Sequence, residues 1–339
     1  MLLEKFNTFK NDIIFIDGLW GTGKSLLGPI ISGMAKVEKV KIEPVYEYIS
    51  ILQYLNKISP DATLWMLNTY ADKSQYDNSI GREVNLRWGD DSGLANNPNS
   101  LRYIRRLFGG EGDQKVSDIN ENNRALNIMS HMLMLVAEPI FKTYGKRVKI
   151  VEVVRHPLYM VSHWYSYLQR YDSPREFTVS LNHRGNKIPW FVGGWEDEFI
   201  EASAVDKVLL SIIKLYEWLD VSSQKAITKG WNILTLSFES LVMVPDDPLQ
   251  RLEAFLGRKH YPHLSTVLRK QRIPRKTIAQ GKGHASYGWV RGADNSELDG
   301  YSRHMDFIRS NGSSVVVSRF LTLIETYNKN FPSTLTQYQ

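Results

Sequence analysis

The chain has 339 residues, 42% of them hydrophobic and 23% charged, which is enough apolar material for a sizeable core and unlike a disordered or low-complexity protein. It has no cysteine, which excludes disulfides, thiolate metal sites and a thiol nucleophile, and fits a reducing compartment. A net charge of +6 suits anionic ligands, but no dense Lys/Arg run marks a nucleic-acid surface, so no nucleic-acid partner is expected.

Met1, Leu2 and Leu3 are followed at once by Glu4, Lys5 and Asn7, so no signal peptide is expected and the reading is cytoplasmic. Residues 13–16 form an apolar run with the look of a buried strand. It breaks into Gly18, four residues, then Gly23-Lys24-Ser25, which is the phosphate-loop spacing. From residue 25 on, Leu26, Leu27, Ile30, Ile31 and Met34 have helical spacing. Glycines let the backbone turn sharply and bring N–H groups onto phosphate oxygens, the next helix adds its positive end, and Lys24 supplies a mobile cation. The loop therefore predicts a phosphorylated nucleotide ligand.

Residues 40–45 read as a second strand and about 48–58 as a helix. Residues 72–123, rich in Gly, Asn, Asp and Ser around a basic amphipathic patch at 101–108, read as a loop-rich insertion. A strand at 125–129 and a helix over about 134–144 follow. The most apolar stretch, 128–141, is interrupted by His131 and Glu138 and is too short to cross a bilayer, so no membrane insertion is expected. Residues 148–154 form a strong strand ended by Arg155-His156-Pro157, with a helix over 158–171. A second irregular insertion, 172–199, holds Trp190, Phe191 and Trp195, which either stack on an acceptor or form the small core that pins the insertion; the latter is preferred. An amphipathic helix (205–219), a strand (233–238), a helix (248–256) stopped by Gly257, a basic segment (269–282) and a last helix near 315–327 complete the chain. Alternating strands and helices predict a single α/β domain over residues 1–339. Its sheet should be mainly parallel, with helices on both faces and ligands at the strands' C-terminal ends.

Three segments in this order resemble the sulfotransferases that use 3′-phosphoadenosine 5′-phosphosulfate, over roughly residues 12–35 and 125–290. Gly18-Leu19-Trp20-Gly21-Thr22-Gly23-Lys24-Ser25-Leu26-Leu27 is similar to their 5′-phosphosulfate loop. Val153-Val154-Arg155-His156-Pro157, with Ser162 after it, resembles their 3′-phosphate site. Leu236-Ser237-Phe238-Glu239-Ser240-Leu241, then Pro245 and Phe255-Leu256-Gly257, resembles a third segment. The resemblance implies a three-layer P-loop fold. It also implies a sulfuryl transfer that requires no metal, from that donor to a hydroxyl or amine of a small-molecule or carbohydrate acceptor.

The residues fit that chemistry. One nucleotide carries anionic groups at two places: Gly18, Gly21, Thr22, Gly23, Lys24 and Ser25 suit the 5′ side, and Arg155 the 3′-phosphate, because a planar guanidinium meets phosphate oxygens in pairs. Ser162 adds a hydroxyl donor, with Ser166 as the fallback. Arg275, Lys276 and Lys282, with Gly281 and Gly283, resemble the loop that closes over the 3′-phosphate, and Trp289 echoes an aromatic beyond it. His131, 24 residues before Arg155 and just past a strand, matches the position of the general base, and an imidazole can accept a hydroxyl proton at neutral pH. His156, His163 and Glu138 are weaker rivals. The chain departs from the pattern at Gly21, where the related proteins commonly carry a cation; two explanations compete, that Lys24 reaches back over the loop to stabilise the leaving group in its place, or that the lysine marks a phosphoryl-transfer enzyme. Two alternatives remain: an ATP/Mg-dependent P-loop kinase, for which no acid stands at a second strand end, and a catalytically inactive nucleotide-binding module.

Overall fold

The apolar run after Asp12 becomes the central strand β1 (Ile13–Asp17), every side chain of which is buried. A parallel strand buried on both faces reads as a continuous hydrophobic run, and this one is Ile-Ile-Phe-Ile. β2 (Lys41–Ile42), β3 (Leu126–Met129), β4 (Val148–Val154) and, after an outlying hairpin of β5 (Ser180–His183) and β6 (Asn186–Pro189), β7 (Ile233–Ser237) join it. The main sheet has the order β2-β3-β1-β4-β7, parallel throughout. This is a computed structural model, and it describes residues 2–278 and 296–332 apart from Phe6, Glu83, Gly89, Asp91 and Arg175.

Helices cover the sheet, and one buried apolar cluster unites them: Phe15 and Ile16 of β1 with Ile30, Leu67, Ile140, Trp164, Leu209, Leu241 and Phe320 from the helices around it. The chain leaves β1 for β2 on one side, returns to β3, then crosses to β4 on the other side. The strand order thus reverses at β1, and ligands gather at such a switch point, at the C-terminal strand ends. The glycine loop, His131, Arg155 and Phe238 all follow closely on the strands there.

Four expectations need correction. The strand expected over 40–45 shrinks to Lys41–Ile42, because Pro44 starts a helix at Val45–Tyr54, ahead of the predicted 48. The helix after the loop is shorter than its apolar spacing suggests: a 3₁₀ turn Lys24–Leu26 and an α-helix Leu27–Ser32. The insertion at 72–123 is largely helical, with helices Pro60–Ser79, Ser100–Arg106 and Asp113–Asn122. The 172–199 segment contains the β5–β6 hairpin and the helix Glu196–Glu201, so it is ordered rather than irregular. A helix at Glu297–Asn311, which apolar spacing did not single out, precedes the last one. Among the described residues no helix is long and apolar enough to cross a membrane.

Candidate active site

β1 runs into a turn built on glycines with positive φ: Gly18 (154°), Gly21 (83°) and Gly23 (81°). A Cβ on Gly18 would lie 2.5 Å from the Val153 carbonyl oxygen and 2.6 Å from Thr22 Oγ1, and one on Gly23 would lie 2.3 Å from the Phe238 ring. Gly23→Ala therefore adds backbone strain and overpacking together, and is expected to destabilise the protein by about 2 kcal/mol or more. Urea unfolding measures this, and a variant as stable as the parent would contradict the packing. Thr22 Oγ1 donates to the Leu19 carbonyl (3.0 Å), and Ser25 sits in the 3₁₀ turn that follows. Lys24 is buried beneath the loop, its Nζ donating to the carbonyls of Gly18 (2.9 Å) and Leu19 (3.1 Å).

Three acids surround this ammonium. The β1–β4 register places Asp17 opposite Glu152, both buried, and Glu47 approaches from the helix Val45–Tyr54. Burial pushes Lys24 below its ordinary range, while Asp17, Glu47 and Glu152 pull it back. Burial, then the Asp17 charge, pushes the Glu47 and Glu152 carboxyls well up, with Lys24 opposing. Asp17 accepts from Ser130 Oγ (2.8 Å) and the Met134 N–H (2.7 Å), which ties β1 to the segment bearing His131. Sequence reading missed these acids because the pairing of strands brings them together, not local spacing. Among the described residues no group of three or more His, Asp or Glu side chains is arranged to hold a metal ion.

His131 stands just past β3. Its backbone N–H donates to Glu47 Oε1 (2.6 Å), and its Nδ1 lies 3.3 Å from the same oxygen. The side chain is about a third exposed and lines a cavity of about 350 Å³ shared with Trp20, Glu47, Tyr48, Tyr167 and Trp190. Burial, then the Lys24 charge, pushes the imidazole down to about 3, so the ring is neutral. The rivals have other partners. His156 accepts the Leu158 N–H on Nδ1 and is ringed by Tyr159, Tyr301 and Tyr327. The His163 ring packs beside Gly21, where a Cβ would lie 3.2 Å from its Cδ2, so a side chain there would press on that ring. Glu138 is ion-paired with Lys142 (2.7 Å) and Lys225 (2.5 Å), outside the lining of the His131 cavity.

On the other side of the loop, Arg155 ends β4. Tyr216 hydroxyl donates to its carbonyl, and Arg155 Nη1 donates to the Gly21 carbonyl (2.9 Å). Its Cζ lies 4.5 Å from the centre of the Phe238 ring, and that of Arg275 lies 5.4 Å from the same ring. Burial, then the neighbouring guanidiniums of Arg155 and Arg272, brings Arg275 down to about 10. Phe238 was read only as part of a segment, yet it is the surface on which both arginines meet. Glu239 is a buried support, accepting from the His156 N–H (2.9 Å) and Tyr327 hydroxyl (2.7 Å). Ser162 is exposed with Oγ 3.4 Å from His304 Nδ1, and Ser166 Oγ accepts from Arg170 Nη2 (2.5 Å). Lys276 is exposed, while Lys282, Gly281, Gly283 and Trp289 lie outside the described residues. Of the insertion aromatics, Trp190 lines the cavity, Phe191 packs on Trp20 and Trp164, and Trp195 packs on Phe199.

No protein-family model matches the chain, and no curated protein matches its sequence. Solved structures similar to it include sulfotransferases. One is the sulfotransferase domain from the curacin biosynthetic pathway (13% identity over 93% of this chain and 98% of that one, TM-score 0.45). Another is sulfotransferase STF9 from Mycobacterium avium (12% identity, 95% and 77%, 0.42), and a third is mouse sulfotransferase SULT7A1 complexed with PAP (13% identity, 95% and 90%, 0.37).

Proposed function

We propose that the chain is a single-domain sulfotransferase, moving a sulfuryl group from 3′-phosphoadenosine 5′-phosphosulfate to an acceptor hydroxyl or amine. The observation that carries this reading is the position of the glycine loop between two different surroundings. Trp20 faces the cavity that holds His131, while the Gly21 carbonyl takes the guanidinium of Arg155. A donor whose 5′ side lies on the loop then has its 3′-phosphate at Arg155 and Arg275, and its sulfuryl group toward His131. Two guanidiniums held against one ring repel each other, and an anion between them relieves that repulsion.

In this reading neutral His131 takes the acceptor proton on Nε2, with Nδ1 turned to Glu47. The acceptor oxygen forms a bond to sulfur as the bond from sulfur to the bridging phosphate oxygen breaks, and the bisphosphate leaves with that electron pair. Lys24, fixed by the Gly18 and Leu19 carbonyls, supplies positive charge under the departing phosphate. It acts from beneath the loop, at whose Gly21 no side chain stands. Ser162 is proposed as a further donor to the 3′ side.

Thermal unfolding with adenosine 3′,5′-bisphosphate and with ATP, each with and without Mg²⁺, tests the assignment, since a ligand bound only by the folded state raises Tm. At 100-fold excess over Kd the bisphosphate is expected to stabilise by about 2.7 kcal/mol without metal. Stabilisation by Mg-ATP alone would replace this reading with phosphoryl transfer. Bisphosphate binding without turnover on any acceptor would mark an inactive module.

A further inference from the structure

We infer that the acceptor seated against His131 is an uncharged aromatic alcohol of one or two rings, rather than a sugar chain or an anionic acceptor. The transfer step rests on the sulfotransferase reading; the binding of such a molecule does not. The cavity measures about 350 Å³, at the small end of the ~300–1,000 Å³ typical of ligand pockets, which matches one compact ring system.

Its walls are aromatic and already in place. Trp20 is wedged by Trp164 (5.0 Å between ring centres), Tyr167 (4.1 Å) and Phe191 (5.6 Å). Trp190 is braced by Tyr54 (6.2 Å) and Trp218 (5.5 Å). Rings fixed in this way offer faces and edges to another ring without the ordering cost that flexible side chains incur.

The charged groups at the cavity point to the same class. Arg170 directs its Nη2 to Ser166 Oγ (2.5 Å) and its Nε to the Ser166 carbonyl (3.1 Å), back onto the helix Val161–Leu168 that it follows. Glu176 Oε1 accepts the Thr178 N–H (2.6 Å), and Glu47 is engaged with His131. An anionic acceptor would meet the Glu176 side chain and lose its hydration among apolar walls, and a polyhydroxylated one would shed its water against indole and phenol faces. A phenolic acceptor buries its ring and needs one polar partner, the Nε2 of His131. Ser173, Glu176, Phe177, Thr178 and Val179 also line the cavity, and Phe177, 75% exposed, is a further ring available to the bound acceptor.

Calorimetry on the full chain with 2-naphthol, N-acetylglucosamine and a sulfated disaccharide, each with and without adenosine 3′,5′-bisphosphate, tests this. 2-Naphthol is expected to bind at least about tenfold more tightly than either sugar. Val179→Trp, which fills the cavity, should weaken 2-naphthol about tenfold and leave bisphosphate affinity unchanged. Because a core substitution can also disturb folding, Phe177→Ala, at an exposed side chain, provides the second variant and should weaken 2-naphthol several-fold. Equal or tighter sugar binding, no 2-naphthol binding, or binding indifferent to both variants overturns the inference. Bisphosphate binding without 2-naphthol binding would sink the acceptor class and leave the donor reading. Variant-sensitive 2-naphthol binding without bisphosphate binding would do the reverse.

Discussion

Lys24→Met should lower sulfuryl transfer by a factor of about 10³, the scale for losing a charge stabiliser placed at the leaving group. It should also destabilise the fold by about 3–5 kcal/mol, as breaking a buried charge group does. Methionine keeps the length of the side chain but removes the donor to the Gly18 and Leu19 carbonyls and the cation among Asp17, Glu47 and Glu152. The pH dependence separates electrostatics from lost packing. Glu47 and Glu152 already sit well above the ordinary carboxylate range, and without Lys24 they rise further. A carboxyl raised in the folded state binds more protons there than in the unfolded chain. Its cost is therefore absent at low pH and grows as pH climbs from the unfolded value toward the folded one. The gap in stability between Lys24→Met and the parent should accordingly be smaller at pH 5 than at pH 8 in urea unfolding. An equal gap at both would assign the loss to packing alone.

The parts legible in the sequence were those whose meaning is local. Strand, turn and glycine spacing around Gly18–Ser25 lie within a dozen residues, and Arg155 announces itself by ending a β-branched strand. Contacts made by sheet order were not legible. Glu47 meets His131 across 84 residues, and Asp17 meets Glu152 because β1 and β4 are neighbours in register. The helix Pro60–Ser79 was hidden for another reason: much of its buried face is polar. Asp72 on that face takes the Lys5 ammonium (2.5 Å) and the Thr8 N–H (2.9 Å), so burial there leaves no apolar stripe to read. Likewise Phe238 looked like one residue of a weak motif until two arginines converged on its ring.

His131→Ala should lower kcat by a factor of about 10²–10⁴, the usual contribution of a positioned base, while bisphosphate affinity stays nearly the same. The second half follows from the proposed placement, since His131 lines the cavity whereas the groups proposed to hold the bisphosphate are the glycine loop, Arg155 and Arg275. Glu47→Gln should have a smaller effect than Glu47→Ala, because the amide oxygen still accepts the His131 backbone N–H and only the charge is lost. The pH profile tests the state of the ring. Burial and then Lys24 hold His131 at about 3, far below the ordinary imidazole value, so kcat/KM for the donor should be flat from pH 7 to 5. Bound donor places negative charge over Lys24 and removes part of that depression, so the acid limb of kcat should lie at higher pH than that of kcat/KM. The same ring affects stability with a definite sign. Between about 3 and 6.5 the unfolded chain carries a proton on His131 that the folded chain lacks, so stability falls as pH falls through that window. His131→Ala should shed this share of the acid sensitivity. A parent enzyme whose kcat/KM for the donor titrates near pH 6.5, with the limb abolished in His131→Ala, would place the ring in ordinary solvent and remove the electrostatic coupling to Lys24 on which this account of the base depends.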